Sequence, residues 1–157
     1  MKTVFKFSFA AGLVFLPAIT LGADNGTNKP LTVLAIGNIA RVEDKSPTMW
    51  GMSGLDMIKV NQSSVGNTPI MRSLALDART VEILSRTQSP PLRSSDVRVV
   101  TQNGRELIGV RGFLLIEVMP ADASAENMST NALAHRWASV IGHVLPQVAP
   151  MPSRFGI

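Results

Sequence analysis

The dipeptide Asn103-Gly104 is the feature that most constrains what this chain can fold into. It separates two runs rich in aliphatic and β-branched residues, Val97–Thr101 and Ile108–Val110. Asn-Gly is the strongest short-range signal for a two-residue β-hairpin, because both residues tolerate the positive φ angles that this turn requires. The sequence therefore predicts an antiparallel strand pair centred on this turn.

The hairpin also predicts a register. A two-residue loop places Val97 opposite Val110 and Val99 opposite Ile108. These four side chains then share one face of the sheet, because side chains alternate along a strand. Arg98 falls on the other face.

A third strand is predicted directly after the hairpin. Arg111-Gly112 can form a second tight turn, and the run Phe113–Val118 then returns alongside the second strand. This run is apolar on both faces, which is typical of a strand that is central in its sheet. The earlier apolar run 31–36 is a candidate fourth strand that pairs beyond it.

The first predicted helix begins at Thr68-Pro69, where a capping residue precedes a proline in the first helical position. Arg72 and Arg79 lie off its apolar stripe. Five apolar residues at spacings of three and four are expected to face the sheet: Ile70, Leu74, Ala78, Val81 and Leu84.

The second predicted helix has Ser129 as its N-cap, and Met128 and Leu133 have the spacing of a hydrophobic staple. Pro146 is expected to end this helix at Leu145, because proline disfavours a helical residue before it. The apolar stripe consists of Leu133, Trp137, Val140, Ile141 and Val144.

The N-terminal segment, residues 1–23, has the layout of a secretory signal peptide. Lys2 and Lys6 precede an apolar run, and small residues up to Ala23 offer a cleavage site. The run is shorter than the ~20 residues that a membrane span needs, although an uncleaved anchor is the alternative. We expect an exported protein, periplasmic or extracellular, with no transmembrane span in the mature chain.

The remainder divides into a flexible start at 24–30, a single α+β domain at 31–146 and an extended tail at 147–157. The expected fold is a small antiparallel meander sheet of three to four strands packed with two helices. A long loop is predicted at 47–67, where methionine and tryptophan are separated by glycines. Trp50 in this loop either caps the core or joins an apolar contact surface.

The composition excludes several classes of protein. Apolar residues make up 45% of the chain and charged residues 17%, which is typical of a globular domain. The absence of cysteine excludes disulfides and thiolate chemistry. The net charge is +4, but the arginines are scattered along the chain, which disfavours a nucleic-acid surface.

Few residues suit catalysis. His135 and His143 are eight residues apart, which is not the i, i+4 spacing of a helical metal site, and both are expected to face solvent. Glu106 and Glu117 face each other in the predicted register and could raise the pKa of one carboxyl. An exposed sheet face favours their separation into water, so no catalytic residue, metal or cofactor is predicted.

Two short motifs follow the predicted sheet. Asp122-Ala123 comes after the third strand, and Leu133-Ala134-x-Arg136-Trp137-Ala138 lies in the second helix. With the preceding strands and turns, this order resembles the extracytoplasmic N-terminal domain that precedes the channel in some bacterial mechanosensitive (MscS-like) proteins. The resemblance implies a scaffold and a compartment. It implies no catalytic residues, and no channel function, because no transmembrane segment follows Leu145.

The sequence thus favours a secreted, non-enzymatic binding or accessory module of the cell envelope. Its expected partner is an envelope protein, a second copy of the chain or the membrane periphery. The alternative is a small periplasmic hydrolase or carbohydrate-binding enzyme, which would need convergent carboxylates such as Glu106 with Glu117. The candidate partner-contact residues are Val100, Leu107, Leu114 and Ile116 on the outward face of the predicted sheet, together with Met49, Trp50 and Met52.

Overall fold

The computed structural model describes residues 29–34, 44–63, 67–86 and 90–149. Over these ranges the chain forms the predicted α+β fold, with a two-stranded sheet, a three-stranded sheet and three α-helices. The predicted signal peptide at 1–23 lies outside the described residues, as do most of the start at 24–30 and most of the tail at 147–157.

The helices and strands follow one another with short connections. In chain order they are β1 (Thr48–Met52), β2 (Leu55–Val60), α1 (Pro69–Arg86), β3 (Val97–Gln102), β4 (Arg105–Val110), β5 (Phe113–Val118), α2 (Pro120–Ala125) and α3 (Thr130–Val148). One turn of 3₁₀ helix, Ser94–Asp96, precedes β3. The sequence predicted α1, α3 and the three strands of the larger sheet, whereas β1, β2 and α2 were not predicted.

The larger sheet has the order β3-β4-β5, and its first hairpin has the predicted register. Val97 lies opposite Val110 and Val99 opposite Ile108. Asn103 and Gly104 have φ angles of 51° and 72°, the left-handed conformation on which the prediction depended.

The second hairpin begins as predicted and then departs from it. Val110 lies opposite Phe113, but the register shifts between Gly109 and Ile108, so that Ile108 faces Ile116. A β-bulge in β5 produces this shift, because two residues of one strand then oppose one of its partner. Ile116 therefore joins the core cluster, and its predicted position on the outer face is wrong.

The central strand of this sheet is β4 rather than β5, and every β4 residue after Arg105 is buried. The predicted pairing of the 31–36 run beyond β5 is confirmed at Thr32, which forms a parallel bridge with Phe113. The Thr32 amide donates to the Gly112 carbonyl at 2.7 Å, and the Leu114 amide donates to the Thr32 carbonyl at 2.7 Å.

Most of the stretch predicted as a loop at 47–67 is the β1–β2 hairpin. Its turn is Ser53-Gly54, with φ angles of 53° and 77°. Trp50 in β1 is 1% exposed and belongs to the core. The loop prediction is therefore wrong, because Ser53-Gly54 makes the same kind of turn as Asn103-Gly104.

The helix α1 starts at Pro69 as predicted but buries a different face. Val81 is 66% exposed and Leu74 39% exposed. The buried residues of α1 are Pro69, Arg72, Leu76, Thr80, Ile83 and Leu84. Leu84 is buried as predicted, whereas Leu74 and Val81 are wrongly placed, because the buried face includes an arginine, which apolar periodicity cannot reveal.

The helix α3 has the predicted N-cap, since the Ser129 hydroxyl accepts the Ala132 amide at 3.1 Å. It does not end at Leu145, because Pro146 lies inside the helix, which continues to Val148. Pro146 has no amide to donate to the carbonyl of Gly142, but Leu145 and Val148 both pack on the core, which favours continuation of the helix.

The core lies between the larger sheet, the β1–β2 hairpin and the two long helices, α1 and α3. α3 packs against β2, β3 and β4, and α1 packs against β1 and β5. Among the residues given by the structure, no helix combines the length and the apolar character that crossing a membrane requires.

Candidate functional site

The predicted partner-contact residues do not form one exposed surface. Met49 is 47% exposed, and Met52 and Leu114 are half-buried. Four others are buried: Trp50, Val100, Leu107 and Ile116, with exposures of 1%, 3%, 6% and 3%. A partner can therefore reach Met49 and parts of Met52 and Leu114 without opening the domain.

The two carboxylates considered for a hydrolase do not converge. The bulge places Glu117 opposite Leu107, and it places Glu106 opposite Val118. Glu106 is buried and accepts the Thr101 hydroxyl at 2.9 Å. Glu117 pairs with Arg105 at 3.3 Å. The predicted Glu106–Glu117 cross-strand pair is therefore wrong.

One buried ion pair fixes the end of β5. Arg72 donates from both terminal nitrogens to Asp122, at 2.8 Å to Oδ1 and 2.7 Å to Oδ2. Asp122 also accepts the amides of Asn61 at 2.8 Å and Met119 at 3.0 Å. The pair thereby joins α1, the end of β2 and the start of α2.

The outer edge of β5 is covered by two arginines of α1. Arg72 donates to the Glu117 carbonyl at 3.1 Å, and Arg79 donates to the Leu115 carbonyl at 3.0 Å. Burial lowers the pKa of the Arg79 guanidinium below its ordinary value. Together with the Thr32 bridge, these bonds use backbone groups that an edge strand otherwise leaves open to pairing.

The outer edge of β3 differs from that of β5 in the hydrogen bonding of its backbone groups. The Arg111 amide donates to the Asp96 carbonyl at 2.9 Å, so the backbone groups of Asp96 point towards β4. Because these groups alternate along an antiparallel ladder, those of Val99 and Thr101 point away from the sheet. Within the described ranges, nothing is hydrogen-bonded to the backbone groups of Val99 or Thr101.

A groove runs between this edge and α3. Its volume is about 550 Å³, within the range of small-ligand sites. Gly142 brings the helix close to the 3₁₀ turn, since a Cβ there would lie 3.2 Å from the Ser94 carbonyl oxygen. The lining residues are Ser94, Val97, Arg98, Val99, His135, Ala138, Ser139, Gly142 and His143.

Both histidines are exposed, as predicted, and both line this groove. His143 contacts the Gln147 side chain at 3.3 Å. Across the part of the chain that the structure covers, no group of three histidine, aspartate or glutamate side chains is arranged to hold a metal ion. No acidic residue lines the groove.

Arg98 flanks the groove from the other face of the sheet. Its guanidinium donates to the Lys29 carbonyl at 3.1 Å and has no carboxylate partner among the described residues. By contrast, five arginines form ion pairs: Arg72, Arg86, Arg105, Arg111 and Arg136. Among the described residues, no carboxylate therefore neutralises the positive charge beside the free edge of β3.

The sequence from 52 to 147 matches the family described as Domain of unknown function (DUF8459), over more than half of the chain. The chain belongs to this family. No curated protein and no solved structure matches the chain. The DUF8459 match extends from the last residue of β1 through most of α3, so it includes both walls of the groove.

The groove was not predicted from the sequence. His135, Ser139 and His143 recur at a spacing of four, which places them on one side of α3. Small residues at Ala138 and Gly142 occupy the adjacent side. This spacing was visible in advance, but it indicates a groove only once α3 is placed beside the edge of β3.

Proposed function

We propose that the protein is an exported, non-enzymatic binding module of the cell envelope that holds its partner in the groove between β3 and α3. The observation that supports this most is the unpaired edge of β3 forming one wall of a concave site. Free backbone groups and a neighbouring cavity together provide both polar and apolar contacts to a partner.

The character of the groove favours binding over reaction. Its walls are formed by valine, alanine, glycine and serine, with imidazoles at two positions and the arginine Arg98 at a third. The carboxylate pair on which a hydrolase was hypothesised is separated by the bulge in β5. Methyl and hydroxyl groups of this kind suit packing and hydrogen bonding, and neither imidazole has a carboxylate among the described lining residues to orient it for general acid–base catalysis.

The proposed compartment rests on two features of the sequence. Residues 1–23 have the n-region, apolar run and small-residue site of a signal peptide. The run from Leu133 to Ala138 resembles the helix of the extracytoplasmic domain of MscS-like proteins. N-terminal sequencing of the chain recovered from cells tests this proposal: a start near Asp24 supports export, and an intact Met1 in a cytoplasmic fraction contradicts it.

The binding proposal is tested by cross-linking capture from the envelope fraction of the source cells. The groove is blocked by Ala138→Arg, which places a long side chain in it. The matched control is Val81→Arg, at a 66% exposed position on α1, which packs against the opposite edge of the sheet. Proteins captured by the wild type and the Val81 variant, but lost with the Ala138 variant, support the proposal. Identical capture by all three contradicts it.

A further inference from the structure

We infer that the partner contributes an extended peptide segment, which pairs with the free edge of β3 as an additional strand and places an acidic side chain beside Arg98. This inference rests on the proposed function and names the class of partner. Strand addition to an exposed sheet edge derives affinity from main-chain hydrogen bonds and specificity from alternate side chains.

The backbone of β3 supplies the pairing groups. The N–H and C=O groups of Val99 and Thr101 point away from β4, by the alternation that starts at Asp96. The Val97 amide donates to the Ser94 carbonyl, so pairing with an added strand begins after the 3₁₀ turn. Two residues two positions apart present the repeat that an added strand requires.

The two edges of the sheet differ in a way that supports this inference. At β5, Thr32 and the arginines of α1 bind the outward backbone groups. At β3, the neighbouring feature is the groove, and none of the described segments covers the edge. Proteins commonly block sheet edges to prevent unwanted pairing, so an edge left open beside a cavity is suited to a specific partner.

The groove is continuous with the edge. Val97 and Val99 belong to β3 and also line the cavity, whose far wall is Ala138 and Ser139 of α3. An added strand lies about 4.8 Å from β3, and its alternate side chains would enter this space. Small and β-branched side chains fit between the valines and the small residues of α3.

The other face of the added strand meets Arg98. This side chain lies on the sheet face away from α3, across from Gly109, and has only a neutral carbonyl as its hydrogen-bond partner within the described ranges. Opposite charges directly across a strand pair are favourable, and like charges are unfavourable. A partner segment is therefore expected to alternate apolar or β-branched residues with acidic ones.

The probe is a phage-displayed library of random dodecapeptides. It is selected against the protein purified from cells in its naturally processed form. Selected sequences are expected to alternate β-branched and acidic residues and to lack proline. The Arg98→Glu variant should select basic residues in place of acidic ones. Selection of peptides without a charge bias, or of none above an empty surface, overturns the inference.

Two variants test where the selected peptides bind. Val99→Pro removes an amide that faces away from β4, so it blocks the edge and leaves the ladder intact. It should weaken binding at least about tenfold, the effect of one lost main-chain hydrogen bond. The control is Val81→Arg on α1, because a proline at that position would break the helix. Equal binding to the Val99 variant overturns the inference.

A second readout covers the case in which the Val99 variant does not fold. Titration of the wild-type chain with a selected peptide should shift the amide resonances of Val99 and Thr101 more than those of Val100 and Gln102. If Ala138→Arg abolishes envelope capture while these resonances do not move, the binding function stands and strand addition is wrong. If neither responds, both proposals are wrong.

Discussion

Arg72 and Asp122 lie 50 residues apart in sequence and form a bidentate ion pair in the interior, with side-chain exposures of 6% and 0%. The pair also forms hydrogen bonds with backbone groups at the end of β2, in β5 and before α2. Asp122 accepts two amides, and Arg72 donates to the carbonyls of Asn61 and Glu117. It holds α1 against the end of β5 and so positions the arginines that cover that edge.

Removing one partner of this pair should strongly destabilise the protein. Arg72→Ala leaves the Asp122 carboxylate buried without its cation, which costs about 3–5 kcal/mol. The control is Arg86→Ala, whose side chain is 58% exposed in its pair with Glu82 and should cost no more than about 0.5 kcal/mol. Urea unfolding measures both, and a similar small loss in the two variants would contradict the structural role.

Replacing both partners should not restore the stability. Apolar substitution of a buried ion pair is often neutral, but Asp122 here also accepts the amides of Asn61 and Met119. In Arg72→Met with Asp122→Leu, these buried donors lose their acceptor, at about 1–3 kcal/mol each. A double variant as stable as the wild type would show that the backbone bonds to Asp122 contribute nothing.

Gly51 is needed at the irregularity in the β1–β2 hairpin. A Cβ at this position would lie 2.0 Å from the carbonyl oxygen of Leu55, a backbone atom that cannot move alone. We expect Gly51→Ala to cost about 3 kcal/mol, the upper end for overpacking. Thermal unfolding measures this against Lys59→Ala, an exposed change in β2. A loss within about 0.5 kcal/mol of that control would contradict the close contact.

Trp50 connects the hairpin to α1 through its indole nitrogen, which donates to Asp77 Oδ1 at 2.8 Å. A double-mutant cycle of Trp50→Phe and Asp77→Ala isolates this bond, because the helix-propensity effect of alanine cancels between the two backgrounds. We expect a coupling of about 1.5–3 kcal/mol, typical of a hydrogen bond to a charged group. Additive losses would show that the bond does not contribute to stability.

The larger sheet was predictable because its turns consist of residue types that favour those turns. Asn103-Gly104 and Arg111-Gly112 each supply two residues with positive φ, and Ser129 supplies a helix cap. Ser53-Gly54 offered a similar signal, but the methionines and glycines around it obscured the strands of its hairpin. The bulge in β5 had no local signature and reversed the predicted face of Ile116.

The buried face of α1 and the candidate site could not be predicted from local patterns. Arg72 occupies a core position only because Asp122, far along the chain, neutralises it. The groove likewise depends on how α3 packs beside β3, although the histidines of α3 were correctly expected to be exposed. Apolar periodicity assigns the faces of a helix by hydrophobicity. The buried face of α1 and the groove instead depend on polar groups whose pairing or exposure is set by tertiary contacts.

The proposed binding site requires an outer edge of β3 that is open to a partner, and amide hydrogen exchange of the unliganded chain measures this. The amides of Val99 and Thr101 should exchange at least about 100-fold faster than those of Val100 and Gln102, which point into the ladder with β4. Comparable protection of all four amides would show that the edge is already paired, and it would contradict both the proposed binding site and strand addition.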